Sequence, residues 1–125
     1  MSERCEVVTR LYTGDDDESH FEEIAIPLRD AGAIGLLSQG HQVRELVFRL
    51  TEGDYDYDWH NAPARQYVIM IEGQVDIEVG SGEVRRFGPG DILLAEDTTG
   101  RGHRSRAVDG RPRRSLFITL PGQSD

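Results

Sequence analysis

The chain has 125 residues, 14 basic and 23 acidic, and a formal net charge of −9. That length suits one domain that buries roughly two thirds of the surface its unfolded chain exposes, and the acidic balance argues against nucleic acid and anionic membrane surfaces as partners. The single Cys5 permits no internal disulfide framework, and neither a membrane-spanning apolar run nor a signal-peptide core is visible, so the expected setting is the cytoplasm.

In chain order, strands are expected at 7–12, 21–28, 34–37 and 45–50. The run Asp15-Asp16-Asp17-Glu18 between the first two is expected to be a solvated loop. Glycines at 32, 35 and 40 disfavour a helix in the stretch after Asp30. Leu46, Phe48 and Leu50 alternate with Val47 and Arg49, the pattern of a strand with one buried face. Asp54, Asp56 and Asp58 also alternate, but they lack the central Gly and distal Glu of a calcium loop. Further strands are expected at 66–71, 74–79, 84–87, 92–95, 103–108 and 116–120. Gly80-Ser81-Gly82 reads as a tight hairpin turn, because glycine takes positive φ at little cost. Gly88-Pro89-Gly90-Asp91 and Asp109-Gly110-Arg111-Pro112 read as turns. No segment has a convincing 3.6-residue period. Many short strands punctuated by Gly and Pro predict an all-β sandwich or barrel.

Two motifs stand out. The first runs Trp59-His60-Asn61-Ala62-Pro63-Ala64-Arg65-Gln66 and reaches Gly73; the second runs Thr98-Thr99-Gly100-Arg101-Gly102-His103 after the Gly90-Asp91 turn. Their order resembles the two motifs of the cupin family. In that family the first motif has a His-x-His pair, a Glu four residues after the second His, and a Gly seven residues further on. Here His60 stands at the first His, Ala62 at the second, Gln66 at the Glu and Gly73 at the Gly. The second motif, Pro-x-Gly-x-x-His, appears as Thr98-x-Gly100-x-x-His103. The resemblance implies a double-stranded β-helix, the jelly-roll barrel, formed by a single domain over residues 1–125 with its core motifs at 59–105.

In the family these positions hold a divalent metal inside the barrel. The resemblance therefore implies His60, Gln66 and His103 as the metal set, for Fe, Mn, Ni, Cu or Zn, with open positions for oxidation or isomerisation. Ala62 supplies no ligand and Gln66 only a neutral oxygen, so two metal-free alternatives stay open. His60 and His103 can act as a general acid/base pair, since imidazole titrates near neutral pH, or they can line the pocket of a non-catalytic binding module. Strand parity gives Ala62, Gln66, Val68 and Met70 the same inward direction as His60, and Arg101 and Ser105 that of His103. Met70, Phe48, Trp59, Arg65 and Arg101 are the further candidate pocket residues, Arg65 as a clamp for a carboxylate. Glu96 and Asp97 are candidates for supporting the site or for plain loop charges, and His20 and His41 are expected to be ordinary exposed residues. Tyr67, Ile69 and Ile71 should face outward, where the N-terminal strands or a second copy of the chain would cover them. The expected partners are a small, acidic or polar organic molecule and a homodimer mate. There is no Gly-x-Ser-x-Gly elbow, Walker loop or dinucleotide fingerprint.

Overall fold

A computed structural model describes residues 4–122. Eleven strands follow one another: β1 (Arg4–Thr13), β2 (Ser19–Asp30), β3 (Leu36–Leu37), β4 (Glu45–Thr51), β5 (Asp56–His60), β6 (Gln66–Glu72), β7 (Val75–Glu78), β8 (Val84–Phe87), β9 (Ile92–Ala95), β10 (His103–Ala107) and β11 (Arg113–Thr119). One 3-10 turn, Gly32–Ile34, precedes β3. The architecture is all-β, as the alternation and turn spacing predict.

The strands form two sheets. The larger has the order β3-β2-β1-β9-β6-β11-β4 and the smaller β5-β10-β7-β8. β1 and β9 pair in parallel; the other pairs are antiparallel. Alternation turns one face of each sheet inward. Leu11, Met70, Leu93 and Ala95 from the large sheet meet Val75, Ile77 and Phe87 from the small one, with Phe21 and Val68 packed against them. Burying these apolar side chains drives the two sheets together. A second cluster of Val8, Leu94 and Leu120, with Ile24, Ile26, Tyr67 and Ile92 against it, lies on the opposite face of the large sheet.

Sequence and structure differ at four elements. Of residues 34–37 only Leu36 and Leu37 pair, with Asp30 and Arg29, because Gly32 and Gly35 take positive φ and turn the chain before it. β5 was not among the expected strands, since only Tyr57 and Trp59 alternate with its acidic residues, too short a run to mark a strand. β11 starts at Arg113 rather than Leu116, because backbone pairing with Thr51 continues whatever the side chain. The parity of β4 is inverted. Leu46, Phe48 and Leu50 point outward and are exposed, Phe48 by 78%, while the half-buried Arg49 lines the interior.

Candidate functional site

The inner faces enclose a cavity of about 320 Å3. Its apolar part is built from Val68, Met70, Val75, Ile77, Phe87 and Leu93, and its polar part from His60, Gln66, His103, Arg49 and Arg113. The expected convergence of His60, Gln66 and His103 is present, and Met70 and Ala62 line the same space.

His60 closes β5 and His103 opens β10, and the two are register partners. Gly102 makes that approach possible. Its φ is +82°, and a Cβ there would collide with the His60 carbonyl oxygen, so a side chain at 102 would push β5 off β10. The His60 and His103 ring centroids are 4.4 Å apart, and the His60 ring stacks on Tyr57 at 4.0 Å. The Nδ1 of His60 donates to the Asp58 carbonyl at 2.7 Å, which leaves Nε2 as the acceptor nitrogen. Burial lowers the His60 pKa; the Asp58 hydrogen bond opposes the shift and His103 adds to it.

His103 is held from behind. Its Nδ1 donates to Asp97 Oδ2 at 2.6 Å, and the Ser19 hydroxyl donates to the same oxygen at 2.7 Å. Asp97 has 0% of its surface exposed, and Ser19 and His103 are buried. A carboxylate on Nδ1 fixes the ring's orientation and tautomer, so Nε2 is the nitrogen left for the cavity. The sequence offered a signal, a carboxylate six residues before the motif His, but not its burial.

Other expected pocket residues lie elsewhere. Phe48 faces out from β4. Trp59, the chain neighbour of His60, takes the opposite face of β5 and lies between the guanidinium groups of Arg101 and Arg104, 5.2 Å and 5.3 Å from its ring. Arg101 is exposed and pairs with Glu18 at 3.1 Å; it lies in a bend before β10 begins, where strand parity does not apply. Arg65 does not clamp the cavity; it pairs with Glu96 at 2.7 Å, and Glu96 also holds Arg10 at 2.6 Å. These two arginines keep the Glu96 carboxyl below the ordinary range despite its burial. His20 bonds Asp16 at 3.0 Å from within β2, and His41 meets the Tyr67 hydroxyl at 3.3 Å. The guanidiniums that do line the cavity, Arg49 and Arg113, were not among the expected site residues.

The donor set fits a divalent cation poorly. It consists of two imidazoles and a neutral amide, with no carboxylate among the residues lining the cavity and two guanidiniums in its wall. No group of three or more His, Cys, Asp and Glu among the described residues is placed to hold a metal. A divalent ion would meet uncompensated positive charge there.

No protein-family model matches the chain, and neither does any curated protein. Solved structures do. The cupin domain of Schizosaccharomyces pombe Cnp3 aligns with 97% of this chain and 86% of its own, at 7% identity and a TM-score of 0.51. A candidate ethanolamine utilization protein Q from Salmonella typhimurium covers 97% of this chain and 98% of its own, at 12% identity and a TM-score of 0.49. The Cupin_2 domain of an XRE family transcriptional regulator from Enterobacter cloacae covers 94% and 98%, at 20% identity and a TM-score of 0.36. The Cnp3 likeness shows the fold alone: the chain has a jelly roll like that of a cupin domain. No helix among the described residues is long and apolar enough to cross a membrane.

Proposed function

We propose that this cupin jelly roll binds a small organic molecule in its interior cavity and moves a proton on it, with His103 as the base. The observation that carries the proposal is the fully buried Asp97 on His103 Nδ1. A buried carboxylate is costly to place. It gives a return in chemistry by holding the imidazole in one tautomer, with Nε2 toward the ligand, and by stabilising the imidazolium that forms when a proton is taken. His60, kept neutral by its burial, is the second group of the pair and returns or relays the proton. The apolar wall excludes water and strengthens these interactions. Isomerisation through proton abstraction next to a carbonyl suits this set. Metal-assisted oxidation suits it less, because the cavity wall is cationic. Use of the same cavity for binding alone would not call for a fixed tautomer at His103.

The protein works as a homodimer in the cytoplasm. Support for the second copy comes from the outer face of the large sheet, where Leu46, Phe48 and Leu50 on β4 stand exposed. Phe48, Leu116, Ile69 and Ile92 continue across four strands as register partners, forming one apolar row. Support for the cytoplasm is the single exposed thiol, Cys5.

The test is carbon-bound hydrogen exchange. Protein treated with a chelator is incubated in heavy water with a panel of small 2-oxo acids, and loss of the signal of the C3 protons, next to the keto group, is followed by NMR. Exchange should exceed the buffer rate and fall by ~100-fold or more in His103→Gln, within the range of general-base effects. Asp97→Asn should fall between the two. Exchange that is unchanged by His103→Gln would remove His103 as the base.

A further inference from the structure

Two guanidiniums line the cavity with no carboxylate to answer them. Arg113 comes from β11, opposite Thr51 on β4, and Arg49 comes from β4, opposite Ser115 on β11, so both project from neighbouring strands of one inner wall. Arg113 is only 6% exposed, and its Nη1 is buried without a hydrogen-bond partner. Thr51 Oγ1 and Ser115 Oγ, its neighbours on these strands, are likewise buried and unpartnered. Neither Arg49 nor Arg113 forms an ion pair among the described residues. What they have is aromatic groups in place of carboxylates: Arg113 lies 4.7 Å from the Tyr55 ring and also meets its hydroxyl, and Arg49 lies 4.8 Å from Phe117. A ring beneath a guanidinium satisfies its face and takes none of its in-plane N–H bonds.

A buried, unpaired cation is expensive unless something of opposite charge completes it. Burial lowers the Arg113 pKa, the Tyr55 hydroxyl opposes that shift, and the second cation, Arg49, adds to it. Every other described arginine that is paired meets its carboxylate on the outer surface, as Arg86 does with Asp76 at 2.8 Å and Arg104 with Glu78 at 2.9 Å. The inner pair stands apart in having only the cavity before it.

We infer that the Arg49–Arg113 wall seats the oxyanion of the ligand, so that the molecule held is a small organic acid whose apolar body lies against Val68, Ile77, Phe87 and Leu93 and reaches His103. The inference rests on the cavity as the ligand site, as proposed above, and names the ligand's chemistry. Carboxylate and phosphate monoester heads share that chemistry, since the planar guanidinium fork accepts either.

The experiment is direct binding, with no turnover involved. The full chain, treated with a chelator, is titrated by calorimetry with benzoate, phenyl phosphate and the neutral isostere benzamide. Chloride holds the ionic strength constant, and melting temperature serves as a second readout. At least one of the two anions should bind and raise the melting temperature, and benzamide should do neither. Whichever anion binds more tightly identifies the head group. Arg113→Gln and Arg49→Gln should each weaken that anion by about 10-fold or more, the loss of a charge-assisted hydrogen bond. Arg49→Lys should recover part of the loss. If Arg113→Gln does not fold, Arg49→Gln, at a half-buried site, decides alone. Calorimetry reads the anion seat and carbon-bound hydrogen exchange reads the base, so failure of the base and failure of the anion seat are seen in separate measurements. Benzamide binding as tightly as the anions, anion affinity untouched by both arginine variants, or no anion stabilising the wild-type chain would each overturn the inference.

Discussion

His60 is governed by its surroundings more than by its sequence neighbours. Burial holds its pKa below the ordinary imidazole value of 6.5, against the pull of the Asp58 hydrogen bond. The unfolded chain therefore takes up this proton at higher pH than the fold does. Between the lowered folded value and 6.5 the unfolded state binds more protons, so stability rises with pH across that window. The His60 contribution is complete above the unfolded value and is lost as pH falls through the window. Urea midpoints measured from about pH 8 down to about pH 5 should drop on acidification, and His60→Gln should flatten the drop. A steeper drop in the variant would mean that His60 is not held neutral. The same residue shows how much is decided by one step of backbone: Trp59, next to it, faces the opposite side and meets arginines in place of ligand.

At the scale of elements, the β5–β10 junction turns on Gly102. Its left-handed φ and the absent Cβ let the His60 carbonyl approach. Gly102→Ala should cost about 1–3 kcal/mol through backbone conformation alone, with the collision added, and should move His60 away from His103. Urea unfolding gives the first, and loss of proton exchange with the fold retained gives the second. A variant within ~0.5 kcal/mol of wild type would show that the strand junction yields easily.

Much of this was legible. The strands at 84–87 and 92–95, the inward run Gln66, Val68 and Met70, and the meeting of His60 with His103 follow from period-two alternation and two short motifs. The inner arginines did not follow, and β4 shows why. Alternation says which residues share a face, and hydrophobicity is then used to choose the inner one. On β4 that choice fails, because Leu46, Phe48 and Leu50 form an outer surface, and Arg49 takes the interior. Arg113 was hidden for a related reason, since a strand that begins on two arginines has no apolar signal to announce it. Arg65 and Arg101 drew attention by their closeness to the motifs in sequence, a closeness that the bends at 63–65 and 99–101 do not preserve in space.

For the whole molecule, the outward apolar row on β4, β11, β6 and β9 is what the proposed dimer rests on. Of the face expected to be outward, Tyr67 and Ile69 are half-buried and Ile71 is exposed, so the most open part lies further along the sheet, on β4. An exposed Phe on the edge strand, at the open end of such a row, is an anchor for a partner surface. Sedimentation at tens of micromolar should show a dimer, and Phe48→Arg should shift it to monomer with the barrel intact. Wild type running as a monomer there would leave β4 without an assembly role. With no lysine in the chain, its cations are all arginine, each able to stack and bond at once.

The Asp97 carboxylate links distant parts of the chain. It takes the Ser19 hydroxyl from the start of β2, and one residue earlier the Glu96 amide donates to the Leu11 carbonyl on β1 at 2.7 Å. The Arg101 amide donates to the Asp17 carbonyl at the tip of the same β1–β2 hairpin, at 3.0 Å. The hairpin is thus a latch on the loop that carries the support of His103. Whenever the hairpin lifts, Asp97 meets water and His103 loses its fixed tautomer. Slow amide exchange at Glu96 and Arg101 would measure how often that hairpin opens.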